Sequence, residues 1–222
     1  MESVNDSLNP LYRLILSYAK AQDRPRIGFL FAFDLRLAEI IRSTSEPMIG
    51  QIRLAWWRDI LNQPVQDRLE GEPLVSTFNI LEREGLSNKN LQRIIDGWET
   101  MLEDFPWDDR QFDVYAENRG NGYFGFALNQ LEISDEMASI SKLWALWDFA
   151  RHCSDPDMRE QAIKLCRAIS NELQAPNFDR NGRPLSILCK LAMRDVKSEQ
   201  LSETLYRPST AAKIIWHGVS GL

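Results

Sequence analysis

Apolar residues recur at three- and four-residue steps along nearly the whole chain, the spacing of one face of an α-helix, and no useful length alternates with period two. Asn9-Pro10 reads as a cap followed by proline at the first helical position, opening a segment with Leu11, Leu14, Ile15 and Tyr18 on one face. Phe29, Phe33, Leu37, Ile40 and Ile41 make the next stripe. Ser45-Glu46-Pro47 interrupts it, and a third helix follows with Ile49, Ile52, Trp56 and Ile60 aligned. Glu72-Pro73 opens a fourth, which Gly85 ends from the position just past the last turn. Leu91, Ile94, Ile95, Trp98 and Leu102 form a fifth, closed by Pro106. Longer helices are predicted from about Asp109 to Leu131, from Asp135 to about Arg151 and from Pro156 to about Leu173. Residues 177–184 are the most loop-like stretch, and a short apolar helix with Leu188 and Leu191 comes after them. The prediction is one all-α domain over residues 1–222, with 195–222 as a tail that need not pack. Its last part, Ala211 to Leu222, is apolar enough to dock on a membrane or a partner, although its shortness, Gly218 and Gly221 favour a frayed end or docking back onto the domain.

Composition narrows the class. Lys and Arg number 26 against 32 Asp and Glu, a formal charge of −6, which speaks against nucleic acid as a partner because phosphate affinity needs a surplus of cations. The longest apolar run, Ile27 to Phe33, is seven residues, far short of the ~18–20 that span a bilayer. Cys153, Cys166 and Cys189 are widely spaced, and with only His152 and His217 beside them they outline neither a zinc site nor a disulfide framework. A reducing, cytoplasmic location is the expectation, with peripheral contact to an inner membrane left open.

Few clusters suggest chemistry by themselves. Asp108-Asp109 with Asp113 has the look of a D-D-x-x-x-D magnesium-diphosphate cluster, but it follows Pro106-Trp107 where a helix begins, and acids there serve capping and the helix dipole. Trp56 and Trp57 are adjacent, so on a helix they point about 100° apart, one toward a core and the other toward a groove or interface. Gly120-Asn121-Gly122 fits a helix irregularity as well as a site. No nucleophile, P-loop or dinucleotide motif occurs.

The block from Phe33 to Arg58, FDLRLAEIIRSTSEPMIGQIRLAWWR, resembles the first helix pair of the squalene/phytoene synthase family. Leu91–Leu102 (LQRIIDGWETML) and Tyr115–Gly125 (YAENRGNGYFG) are similar to two further blocks of that family, in the same order. The resemblance implies helices packed around an apolar cavity. In active members two aspartate-rich motifs hold magnesium against prenyl diphosphates that are joined head to head. The first motif, D-x-x-x-D, falls on Ala38 to Arg42: Ala38 offers no oxygen, Arg42 is itself a cation, and Glu39 lies one residue out of register. No second pair four residues apart can be placed in LWALWDFARHCSDPDMRE. A subgroup, the respiratory complex I assembly factors, has also lost the first pair. Its L-A-x-[IV], S-E-x-x-I-G-x-x-R and Y-A-E-N patterns are matched by Leu37–Ile40, Ser45–Arg53 and Tyr115–Asn118. The acidic N-terminus lacks a transit pattern, so a bacterial member of that subgroup is expected.

The resemblance therefore implies a synthase fold without its catalytic or metal-binding residues, acting on a protein partner or an isoprenoid or lipid ligand without a cofactor. Asp34, Ala38, Glu39, Arg42, Arg53, Trp56, Trp57, Tyr115 and Asn118 are the candidate cavity and contact residues, with Arg42, Arg53, Trp56 and Trp57 the expected contact. The alternative is a magnesium-dependent prenyltransferase with rearranged ligands, in which Asp34, Glu39 and Asp148 converge on one cation.

Overall fold

The computed structural model describes residues 8–69, 71–173, 178, 182–198 and 214. Its helices are α1 (Pro10–Ser17), α2 (Arg24–Arg42), α3 (Pro47–Asn62), α4 (Pro73–Arg83), α5 (Lys89–Thr100), α6 (Asp109–Leu128), α7 (Asp135–His152), α8 (Pro156–Glu172) and α9 (Arg183–Ser198). There is no strand among the described residues.

Local chemistry sets the helix boundaries. The Asn9 side chain accepts the Tyr12 backbone N–H at 2.9 Å, and Pro10 follows as the first helical residue. Asp108 and Gln111 form a reciprocal capping box at the start of α6, so the acidic cluster there opens a helix. Asp109 accepts from the Gln161 side chain, and Asp113 lies 3.7 Å from Lys142. Asp155 caps α8 ahead of Pro156 in the same way as Asn9 caps α1. Asn129, left-handed at φ 55°, ends α6 three residues earlier than the apolar pattern suggests, since asparagine tolerates that conformation.

Helices α5, α6 and α7 pack in sequence order, and glycine sets how close they come. A Cβ at Gly97 would stand 2.6 Å from the Arg119 backbone nitrogen, and one at Gly120 would stand 2.6 Å from the Ser141 carbonyl oxygen. Gly120 is therefore a packing contact between α6 and α7 rather than a helix irregularity. The core around these helices is rich in rings: Phe29, Phe33, Phe112, Tyr123, Trp144 and Trp147 are all buried.

Helix α3 departs from its predicted face. Its buried residues are Gly50, Leu54, Trp57, Ile60 and Leu61, whereas Ile49, Ile52 and Trp56 are 41%, 63% and 37% exposed. Both faces of α3 carry apolar side chains, so the helical period is satisfied either way. Gly50 lies on the buried one, where a Cβ would stand 2.6 Å from the Leu102 side chain beyond α5. Of the predicted tail, residues 195–198 form the last turn of α9, where Asp195 and Val196 are buried. Ile214 is buried too, and the other residues of 199–222 lie outside those described, as do most of 177–181.

Candidate functional site

Four helices meet around one buried cation. Along α2, Asp34, Ala38 and Arg42 follow one another at four-residue steps on the same face. Tyr115 and Arg119 stand one turn apart on α6, Trp98 comes from α5, and Asp148, Arg151 and His152 come from the last turns of α7. The Arg119 side chain is 1% exposed. Its Nε and Nη2 donate to Asp34 Oδ1 and Oδ2 at 3.1 and 2.8 Å, a bidentate pair. Nη2 also donates to Asp148 Oδ2 at 2.8 Å, and Nη1 donates to the Tyr115 hydroxyl at 2.7 Å. Trp98 Nε1 donates to Asp34 Oδ1 at 2.7 Å. The guanidinium carbon lies 4.4 Å from the Trp98 ring centroid and 4.9 Å from that of Trp144.

These contacts make an otherwise costly burial tolerable. A lone buried charge is strongly unfavourable, but here carboxylates and a phenol take up four donor contacts and two indole faces hold the plane of the cation. Burial alone would lower the Arg119 pKa, yet Asp34, Tyr115 and Asp148 outweigh it and raise it well above its ordinary value. For Asp148 burial pulls upward, and Arg119, followed by His152 and Arg151, holds the carboxyl below its usual value. Desolvation pushes the Tyr115 phenol upward, so it stays protonated.

Beside this centre lies a cleft of about 330 Å³. Asp34, Ala38 and Arg42 line it from α2, Arg119 from α6, and Asp148, Arg151 and His152 from α7, with apolar walls that include Leu11, Leu35, Ile41, Met101, Phe149 and Leu188. His152 Nδ1 sits 2.8 Å from the Asp148 carbonyl oxygen and 3.5 Å from its carboxylate, with its side chain 60% exposed.

Not every residue expected here is present. Glu39 points away to solvent, 63% exposed, and pairs with Arg36 at 3.4 Å. Arg53 and Trp56 lie on the outside of α3, Trp57 packs beneath it against Phe33, and Asn118 does not line the cleft. Asp34 and Asp148 do converge, as the prenyltransferase alternative requires, but the group between them is Arg119. A divalent cation in that gap would face a guanidinium, so the residues present do not fit magnesium there. Among the described residues, no three His, Cys, Asp or Glu side chains come together as a metal site.

Arg119 is the functional residue that sequence reasoning missed. It falls on the apolar stripe Phe112, Ala116, Tyr123 and Phe126 of α6, and an arginine inside such a stripe was the available signal.

An all-helical fold with two inward aspartates on facing helices defines the class of protein: the model of the squalene/phytoene synthase family matches residues 12–170, and the chain belongs to that family. Within it, the chain is similar to proteins named NADH dehydrogenase (ubiquinone) complex I, assembly factor 6. The Rattus norvegicus protein is 31% identical over 108 residues, covering 48% of this chain and 32% of that protein. The Bos taurus and Homo sapiens proteins are 29% and 27% identical over 117 residues, covering 52% of this chain and 35% of theirs. The chain thus spans about a third of the length of the curated relatives it matches. No solved structure matches it significantly.

Proposed function

We propose that this chain is a non-catalytic member of its family that works as a binding factor, of the kind that assembles respiratory complex I. The observation that carries the reading is Arg119, whose guanidinium is tied within 3.1 Å of both inward aspartates. A tethered cation there neutralises the carboxylates and holds α2, α6 and α7 together, but it cannot leave to admit a metal-bound diphosphate. The similarity to complex I assembly factors supports a protein as the partner.

The outer face of α3 is where such a partner would meet the chain. Met48, Ile49, Ile52 and Trp56 are exposed on it, and exposed Arg53, bonded among the described residues only to the Ser43 hydroxyl, flanks them. Tryptophan, methionine and arginine are the residues enriched where proteins meet, and an arginine without a carboxylate partner calls for an acidic one. No helix among the described residues is long and apolar enough to cross a membrane, and a peripheral membrane contact would use the same face.

Calorimetry with a non-ionisable prenyl thiodiphosphate, with and without magnesium, tests the loss of synthase chemistry. No magnesium-dependent binding is expected, and its appearance would restore the enzyme reading. For the partner, Ile52→Glu should lower NADH:quinone oxidoreductase activity in membranes of the source cells while the protein stays folded. Unchanged activity would remove α3 from the interaction. Loss of vesicle co-sedimentation in Ile52→Glu, with complex I unaffected, would reassign the face to lipid.

A further inference from the structure

We propose that the cleft beside Arg119 binds a single-chain amphiphile with one anionic head group, a carboxylate or a phosphate, without a metal ion. The inference rests on the non-catalytic reading of the site and adds to it the chemistry of a ligand.

Charge is the first ground. Three guanidiniums (Arg42, Arg119 and Arg151) face two carboxylates (Asp34 and Asp148) in the lining, so one positive charge is left over before His152 is considered. Arg119 is not the receptor, because four of its five N–H donors are already engaged by Asp34, Asp148 and Tyr115 and its charge is balanced by the two carboxylates. Arg42 and Arg151 remain. Arg42 has no ion-pair or hydrogen-bond partner among the described residues and stands exposed where it lines the cleft. Arg151 lies with its guanidinium 4.8 Å from the Trp147 ring, and its Nε is buried with no hydrogen-bond acceptor. An anion at the cleft would meet the Arg42 guanidinium and the positive charge of Arg151.

Shape is the second ground. Leu11, Leu35, Ile41, Met101, Phe149 and Leu188 give the same cleft apolar wall, which suits a hydrocarbon tail attached to a polar head. The volume of about 330 Å³ sits at the low end of small-molecule sites, so it holds one short chain and not the two prenyl chains of a head-to-head condensation.

The test is calorimetric titration of the full chain, in EDTA and separately in magnesium, with decanoate, decyl phosphate, decanol and inorganic phosphate below micellar concentrations. Decanoate or decyl phosphate should bind equally in EDTA and magnesium, at least tenfold more tightly than decanol or inorganic phosphate. A preference for one head group identifies the source as a fatty acid or a phosphate ester. The double variant Arg42→Gln/Arg151→Gln should lose at least tenfold for the anionic ligands, with decanol binding unchanged and cooperative unfolding retained. Equal binding of decanol would overturn the head-group site, and equal binding of inorganic phosphate would overturn the tail site. Absence of all binding would overturn this inference alone. Binding that needs magnesium would overturn it together with the non-catalytic reading.

Discussion

Neighbouring helices α2 and α3 carry equally regular apolar stripes, yet they end in opposite environments. The inward face of α2 is buried along its length and includes a charge, Asp34, whose carboxylate receives Arg119 twice and Trp98 once. The stripe of α3 formed by Ile49, Ile52 and Trp56 is turned to solvent, and no polar network attends it. A periodic stripe therefore says that a face is apolar, not that the fold covers it. In α2 one ion cluster at which four helices meet makes the fold vulnerable at a point, because loss of a single member leaves buried charges unpaired. In α3 the outer apolar residues are exposed and contribute little to folding.

Arg119→Met should produce the largest effect. It leaves Asp34 and Asp148 buried without their cation and is expected to destabilise by about 3–5 kcal/mol in thermal or denaturant unfolding. Adding Asp34→Asn and Asp148→Asn to it should restore most of that loss, because removing a whole buried cluster is far milder than removing one member. If the single and triple variants are equally unstable, the cluster is not the junction described here. Gly97→Ala comes next, at about 1–3 kcal/mol, since its methyl meets the Arg119 backbone and not a flexible side chain.

A pH titration sharpens the comparison. Asp148 has a folded pKa below its ordinary 3.8, so its contribution is present above that pH and is lost as pH falls through the depressed folded value. Wild type should therefore lose stability in that acid window with a steeper slope than Asp148→Asn, as measured by unfolding at stepped pH. On the other side of the comparison, Ile52→Glu should shift stability by no more than about 0.5 kcal/mol, as exposed sites usually do. A large loss there would mean that the face is covered within the chain.

Much of the architecture could be read from residue spacing, because caps and prolines announce helices by local chemistry: Asn9-Pro10 and Asp155-Pro156 each begin a helix where the pattern places it. The covered side of α3 could not be read, because Gly50 under Leu102 is a contact between distant segments. The site was legible in half. Asp34, Ala38 and Arg42 line the cleft together as their four-residue steps imply, and Asp148 joins them. Glu39 misses by one residue of register. Arg119 was hidden because an arginine in a sequence advertises solvent, and only the three-dimensional meeting of two acids and two indoles explains its burial.

The covalent attachment of that arginine has a consequence in mass action. A metal-neutralised pair of acids owes part of its folding stability to the free ion, growing with the logarithm of its concentration, and a chelator can withdraw it. A guanidinium borne on α6 is present at a fixed ratio in every molecule, neither diluted nor exchanged. The junction of these helices should hold the same strength in cells starved of divalent ions as in cells rich in them.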